Sequence, residues 1–287
     1  MNEKILVTGA CGNVGRYVVT ELLNKNCTVV VAEYDIENAK KMYLDKVKYV
    51  KLDFMDSTTY EQAFEGISSV FLMRPPQIDK VKKYINPAIE VAIKCGVKHF
   101  TLLSIIGSNP MVPHYKIERY LLANKDKITY TFLRASFFMQ NLITSIKDEI
   151  VSRNEIYVPA GNGKTSFIDC RDIAKVAAIT LTEMGHENKI YELTGSESLS
   201  YFEVADIMSK VLNRSIKYVN PKAKDFKNLM ISKGHPKDYA FVTKMIYTTA
   251  KIGLAKKVTN TFKELTNTEP ITLEQFTNDF KDVWKNE

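Results

Sequence analysis

The sequence predicts an α/β protein: a Rossmann-type doubly wound parallel sheet with a smaller C-terminal α+β lobe. Short apolar runs alternate with longer amphipathic segments through the first 150 residues, the pattern of parallel strands joined by crossover helices. A glycine-rich turn stands between the first apolar run and the first helical segment. Beyond Phe138 the alternation gives way to shorter apolar runs and a helical tail. This rhythm divides the chain into a larger domain, 1–150, and a smaller lobe, 151–287. The larger domain also receives later segments such as 164–195.

The expected strands of the larger domain are 4–7, 27–32, 47–52, 69–73, 99–104 and 129–133, each a short apolar run. Helical periodicity predicts helices at 14–24, 37–43, 58–64, 87–95 and 114–124. Gly96 is a natural stop for the fourth of these, and Pro113 a natural entry to the fifth. In the second half a helix is expected at 139–152 and a strand at 156–158. A Gly161-Asn162-Gly163 turn then leads to a strand at 164–168. Asp172 is placed to cap a helix at 173–183, ahead of a strand at 190–193 and a helix at 202–212. From about Asn220 the tail reads as helical pieces joined by loops.

With 45% hydrophobic and 25% charged residues the chain has globular composition, which argues against disorder. No apolar run approaches the roughly 20 residues that cross a bilayer, and Met1-Asn2-Glu3-Lys4 does not begin a signal peptide. The expectation is a cytoplasmic protein, monomer or homodimer, with no membrane partner. Cys11, Cys27, Cys95 and Cys170 have no metal-like spacing and are expected as free thiols, with no metal site. The net charge of +7 is concentrated late, where residues 222–263 hold ten lysines against Asp225 and Asp238. These lysines are spread out, so they read as a solvated surface and no nucleic-acid partner is expected.

The most informative segment runs Lys4-Ile5-Leu6-Val7-Thr8-Gly9-Ala10-Cys11-Gly12-Asn13-Val14-Gly15-Arg16. A sharp turn, bare backbone beside a pyrophosphate and close helix–strand packing each require a residue without a Cβ. Gly9, Gly12 and Gly15 meet those needs, and the following helix N-terminus favours phosphate. Gly9, Cys11, Gly12, Asn13, Val14 and Gly15 are therefore the candidate dinucleotide loop. Glu33, 24 residues beyond Gly9, ends the second strand where an acidic side chain bonds the adenosine ribose. A carboxylate there repels a 2′-phosphate, so the cofactor expected is NAD(P)H with NADH favoured over NADPH. Asp53 and Phe54, after the third strand, are candidates to bond the adenine amino group and flank its ring.

These residues, with several later ones, resemble the NmrA-like branch of the atypical short-chain dehydrogenases, and most of all its quinone-oxidoreductase and triphenylmethane-reductase group. The matching segments are the glycine loop, Lys94-Cys95-Gly96-Val97-Lys98, His114 with Glu118, and Leu133-Arg134-Ala135-Ser136-Phe137-Phe138-Met139-Gln140-Asn141-Leu142. Ala160-Gly161-Asn162-Gly163-Lys164, Arg171-Asp172-Ile173-Ala174 and Tyr191-Glu192-Leu193-Thr194-Gly195 complete them. The resemblance implies a Rossmann domain, a smaller lobe, a nicotinamide dinucleotide, and a substrate pocket near Phe137, Phe138, Met139 and Asn141. The sequence departs from the family at Glu33, about where many relatives carry an arginine suited to the 2′-phosphate of NADP.

Ordinary short-chain dehydrogenases use a tyrosine acid/base with a lysine four residues later. Only Tyr218 with Lys222 and Tyr247 with Lys251 have that spacing, both in the tail, and Pro221 interrupts the first. Tyr115 with Arg119 stands eleven residues after Ser104, but arginine is a poor stand-in for lysine. Alcohol oxidation is therefore disfavoured. Hydride transfer to a small electron-poor aromatic acceptor such as a quinone asks less of the protein, which must hold two rings together and exclude water. His114 is the candidate weak acid, expected to titrate near neutrality; Ser104 and Tyr115 complete the candidate catalytic set. Cys11 is expected to have a lowered pKa beside the helix N-terminus. Two alternatives stay open: a non-catalytic NAD(P)-binding redox sensor, and a nucleotide-sugar epimerase-like enzyme with retained NAD.

Overall fold

The computed structural model describes residues 3–285. The chain opens with strand β1 (Lys4–Thr8), helix α1 (Gly15–Asn24), β2 (Thr28–Glu33), α2 (Ile36–Tyr43) and β3 (Lys48–Lys51). It continues through α3 (Tyr60–Phe64), β4 (Ser69–Leu72), α4 (Val81–Lys94), β5 (His99–Ile105), α5 (Pro113–Ala123) and β6 (Thr129–Ala135). Then follow β7 (Phe137–Phe138), α6 (Asn141–Arg153), β8 (Glu155–Tyr157), β9 (Lys164–Thr165), β10 (Phe167–Ile168), α7 (Cys170–Thr182) and β11 (Lys189–Leu193). The remainder comprises β12 (Leu199–Ser200), α8 (Tyr201–Leu212), β13 (Lys217–Val219), α9 (Ala223–Ser232), α10 (Lys237–Lys251), α11 (Thr261–Thr266) and α12 (Leu273–Asp279).

These elements fold as two compact units. One takes the chain up to Ala135 together with Cys170–Leu193; the other takes Ser136–Asp169 and the chain from Thr194 onward. The boundary thus falls at Ala135 and not near residue 150. The physical reason is the apolar face of α6: Leu142, Ile146 and Ile150 are buried in the second unit's core beside Met139, Ile156 and Val204. Segments β9 and β10 also stay in the second unit, so only 170–193 return to the first.

The first unit is a seven-stranded sheet in the order β11-β6-β5-β4-β1-β2-β3, with every adjoining strand parallel. The strand order reverses between β1 and β4, the switch point outside whose carboxyl ends such sheets bind ligands. Alternation along each strand sends side chains to both faces. Leu6, Val30, Val70, Leu72, Phe100 and Phe132 pack with the buried residues of α3, α4 and α5 on one side. Helix α4 begins earlier than the sequence suggested and carries Pro87 inside it. Its buried stripe, Val81, Ile85, Ala88, Ile89 and Ala92, outweighs the missing proline N–H. Helix α7 starts at Cys170, so Asp172 lies in the first turn instead of ahead of it. A carboxylate there still complements the helix dipole.

In the second unit, β7 pairs with β10 and β13 with β8 in parallel, while β12 pairs with β9 antiparallel. Its core gathers Tyr201, Phe226, Tyr247, Phe276 and the only tryptophan, Trp284. A capping box starts α8: the Ser200 side chain accepts from the Glu203 N–H, and the Glu203 carboxylate accepts from the Ser200 N–H. Among the described residues no helix is long and apolar enough to cross a membrane.

A candidate dinucleotide site at the carboxyl ends of β1 and β4

The glycine loop is shaped by its neighbours as much as by its glycines. Gly9 takes a φ of 60°, and its carbonyl accepts the Gly12 N–H at 3.0 Å, which closes the turn. A Cβ on Gly15 would overlap the Gly9 carbonyl and stand 2.9 Å from the Ala10 Cα, so only glycine lets α1 approach β1 this closely. The methyl of Met73, just past β4, lies where a Gly9 side chain would have to go. Thr8 ties the two strands together: its hydroxyl donates to the Phe71 carbonyl at 3.1 Å and accepts the Met73 N–H at 2.8 Å. Val14 precedes the helix without a side-chain cap. The Arg16 N–H donates to the Gly12 carbonyl at 3.3 Å, and the Tyr17 and Val18 N–H groups to the Val14 carbonyl at 3.0 and 3.1 Å. What suits a pyrophosphate here is therefore the positive end of the α1 dipole beside the bare glycine backbone.

Glu33 ends β2, and its carboxylate accepts the Cys11 N–H at 2.7 Å, which brings it against the loop. Burial raises its pKa, while the Cys11 contact works in the opposite direction. Cys11 itself departs from expectation. Burial first, and then the charge of Glu33, push its thiol up to about 11, so the lowered pKa expected beside the helix N-terminus is not realised. Asp53 is partly used by its own turn, accepting the Met55 N–H at 2.8 Å. Phe54, expected to flank an adenine ring, is instead buried in the first unit's core.

Two of the candidate catalytic residues, Ser104 and His114, interact with a buried carboxylate. Glu118, on α5, is 2% exposed. It accepts from Arg134 Nε at 3.0 Å and Nη2 at 2.7 Å, and from the Ser104 hydroxyl at 2.6 Å. Ser104 is also buried, and its proton is committed to Glu118. His114 and Tyr115 occupy the first turn of the same helix, both partly exposed. Burial, with help from the Arg74 charge, lowers the His114 pKa to about 4. His114 is therefore a neutral imidazole at pH 7 and not the weak acid expected from its usual range. Its Nδ1 is buried without a hydrogen-bond partner.

A pH dependence of stability follows. His99, on β5, is likewise held near 4 by burial, its ring nitrogens bonded to Thr129 and Thr101. The unfolded chain protonates these histidines below about 6.5 and the folded chain only near 4, so the unfolded state binds more protons in that window. Stability is full above pH 6.5 and falls as pH drops, by about 2 kcal/mol per histidine at pH 5. Urea unfolding at pH 7.5 and 5 should show this loss, and His114→Gln should remove about half of it. Superimposable wild-type curves at the two pH values would refute the argument.

With this geometry in view, a family model described as the NmrA-like family matches residues 1–277. The chain belongs to the NmrA-like family. An NAD(P)H azoreductase from Xenophilus azovorans is 33% identical over 278 residues, covering 95% of this chain and 96% of the relative. Triphenylmethane reductase from a Citrobacter species superposes with a TM-score of 0.86 at 24% identity, covering 97% of this chain and 99% of that one. An NADPH-dependent quinone oxidoreductase from Escherichia coli, complexed with NADPH, gives 0.85 at 24% identity, with coverage of 96% and 99%. At that identity the two structures speak to the fold.

In this NmrA-like chain the remaining candidates lie in the second unit. Met139 is buried in its core, and the Phe137 ring packs edge-on against Phe167 at 6.4 Å. Phe138 and Asn141 are partly exposed. The two tyrosines with lysine spacing are structural. Tyr218 donates to the Val158 carbonyl at 3.0 Å and accepts the Ala160 N–H at 3.1 Å, while Tyr247 is buried among Phe137, Tyr201 and Phe226. Sequence reasoning missed Tyr43, whose hydroxyl donates to the Ala10 carbonyl at 2.6 Å and braces the loop from α2. It also missed Arg74, a charged residue two positions beyond a wholly buried strand and just before two prolines, which is a readable signal.

Proposed function

We propose that this protein is an NAD(P)H-dependent oxidoreductase that delivers hydride to a small electron-poor aromatic acceptor such as a quinone, with NADH preferred. The observation that carries the reading is the glycine turn at the reversal of strand order, backed by an uncapped helix N-terminus and faced by Glu33. The turn and helix suit a pyrophosphate, and a carboxylate at the end of β2 suits a ribose with free hydroxyls. The similarity to an NAD(P)H azoreductase, itself named for reduction of an aromatic acceptor, supports the class. When bound, the dihydronicotinamide supplies the hydride. The chain's own residues bind and orient, and a neutral His114 can donate a hydrogen bond to an acceptor oxygen. The acceptor's proton then comes from water. No tyrosine in the first unit has a lysine four residues on, which favours this reading over an epimerase.

The test is the rate of NADH and NADPH oxidation with and without a short-chain benzoquinone. Quinone-dependent turnover is expected, with the higher kcat/KM for NADH. Glu33→Gln should move the NADPH/NADH ratio about tenfold towards NADPH, equivalent to about 1.4 kcal/mol. A wild-type preference for NADPH would remove the Glu33 argument and leave the reaction class. Saturable dinucleotide binding without any turnover would overturn the reductase reading in favour of a sensor.

A further inference from the structure

The loop after β4 carries an unusual cation. Strand β4 is buried throughout, and Met73, the next residue, packs its methyl under the glycine loop. Arg74 therefore follows at the carboxyl end of β4, beside the strand reversal between β1 and β4. Its Nη1 donates to the carbonyls of Pro75 at 2.9 Å, Pro76 at 3.0 Å and Ile78 at 2.7 Å, which locks the guanidinium to its own loop. Nε is buried without a hydrogen-bond partner. Burial lowers its pKa, and the charge of Asp79, which makes no direct contact with it among the described residues, offsets this in part. The edge formed by Nε and Nη2 is the fork with which arginine receives an oxyanion in two parallel hydrogen bonds. The neighbouring His114, whose titration Arg74 influences, also holds a buried ring nitrogen without a partner. Asp79 and the three carbonyls answer part of the Arg74 charge, but burying its Nε and the His114 Nδ1 without hydrogen-bond partners is costly unless a ligand supplies them.

We propose that Arg74, with His114 beside it, forms an oxyanion-recognition site at the carboxyl end of β4 that takes a carboxylate or developing phenolate oxygen of the acceptor and disfavours cationic acceptors. The inference rests on the reductase reading. Hydride addition turns a quinone into a hydroquinone monoanion: two electrons arrive from the dinucleotide, which is oxidised, and a second proton comes from water. The negative charge gathers on oxygen, where a guanidinium stabilises it. The same oxyanion chemistry occurs in the dinucleotide's pyrophosphate, but the N-terminus of α1 already provides for that group.

The experiment measures dissociation constants by dye absorbance at saturating oxidised dinucleotide, so that no turnover is needed. The probes are methyl red, which carries a carboxylate, its uncharged parent 4-dimethylaminoazobenzene, and the cationic dye crystal violet. Wild type is expected to bind methyl red at least tenfold more tightly than the parent. Arg74→Gln should erase that difference, improve crystal violet binding and leave NADH affinity within twofold. Equal wild-type affinity for methyl red and its parent overturns the proposal. So does a tenfold loss of NADH affinity with both azo dyes affected alike, which assigns Arg74 to the pyrophosphate. Should Arg74→Gln fail to fold, Arg74→Lys keeps the charge but loses the fork; a severalfold weaker methyl red preference supports the proposal, and an unchanged one overturns it. Failure of the reductase reading is seen separately, as absent NADH oxidation with every acceptor.

Discussion

Gly15→Ala is expected to weaken dinucleotide binding more than a hundredfold, a loss of about 2.7 kcal/mol. The added methyl would overlap the Gly9 carbonyl, which is itself fixed by the Gly12 N–H at 3.0 Å. Relief requires α1 to withdraw from β1, and the helix N-terminus would retreat with it from the proposed pyrophosphate site. Overpacking of this kind also costs about 1–3 kcal/mol of stability, so the folded fraction must be measured alongside affinity. Gly96→Ala provides the control. Its φ of 97° makes alanine strained, but nothing lies within 4 Å of the new methyl and the site is not involved. Quenching of intrinsic fluorescence by NADH, with thermal melts of both variants, separates the two effects. A Gly15→Ala protein that binds within threefold of wild type would refute the close-approach argument, whatever its melting temperature.

The sheet was legible because its strands are contiguous apolar runs, and the glycine spacing marked the end of β1 without ambiguity. The less legible parts are those decided by contacts distant in sequence. Pro87 looked like a helix start, yet the stripe Val81, Ile85 and Ala88 carries α4 through it. The motif at 133–142 runs past Ala135 with no break in the sequence, but the apolar residues of 136–169 pack into the second unit's core. Protonation states were least legible. By sequence, His114 has an ordinary imidazole and Cys11 a favourable helix terminus; burial reverses both, helped by the Arg74 charge at the first and the Glu33 carboxylate at the second, and neither neighbour is close in sequence. Spacing singled out Tyr115 and Ser104 as candidates, but it could not say that Ser104 gives its proton to Glu118.

That buried carboxylate sets the second large effect. Arg134→Met removes the bidentate partner of Glu118, leaving a carboxylate that is 2% exposed with only the Ser104 hydroxyl to solvate it. Breaking a buried ion pair from one side costs about 3–5 kcal/mol, since the remaining charge is uncompensated. For a chain of this size each kcal/mol lowers the melting temperature by roughly 2–4 °C, so a fall of about 10 °C is expected. Replacing both members, Glu118→Leu with Arg134→Met, removes the stranded charge and should recover most of the stability. A single substitution costing under about 1 kcal/mol would mean that water screens the pair as it does at a surface. The functional consequence separates stability from chemistry. Ser104 on β5, Glu118 on α5 and Arg134 on β6 pin the helix whose first turn carries His114 and Tyr115. The double variant is therefore expected to melt near wild type yet lose kcat/KM for quinone by about tenfold, because α5 is no longer pinned by polar contacts of fixed direction. Full activity in a stable double variant would show that packing alone positions that turn.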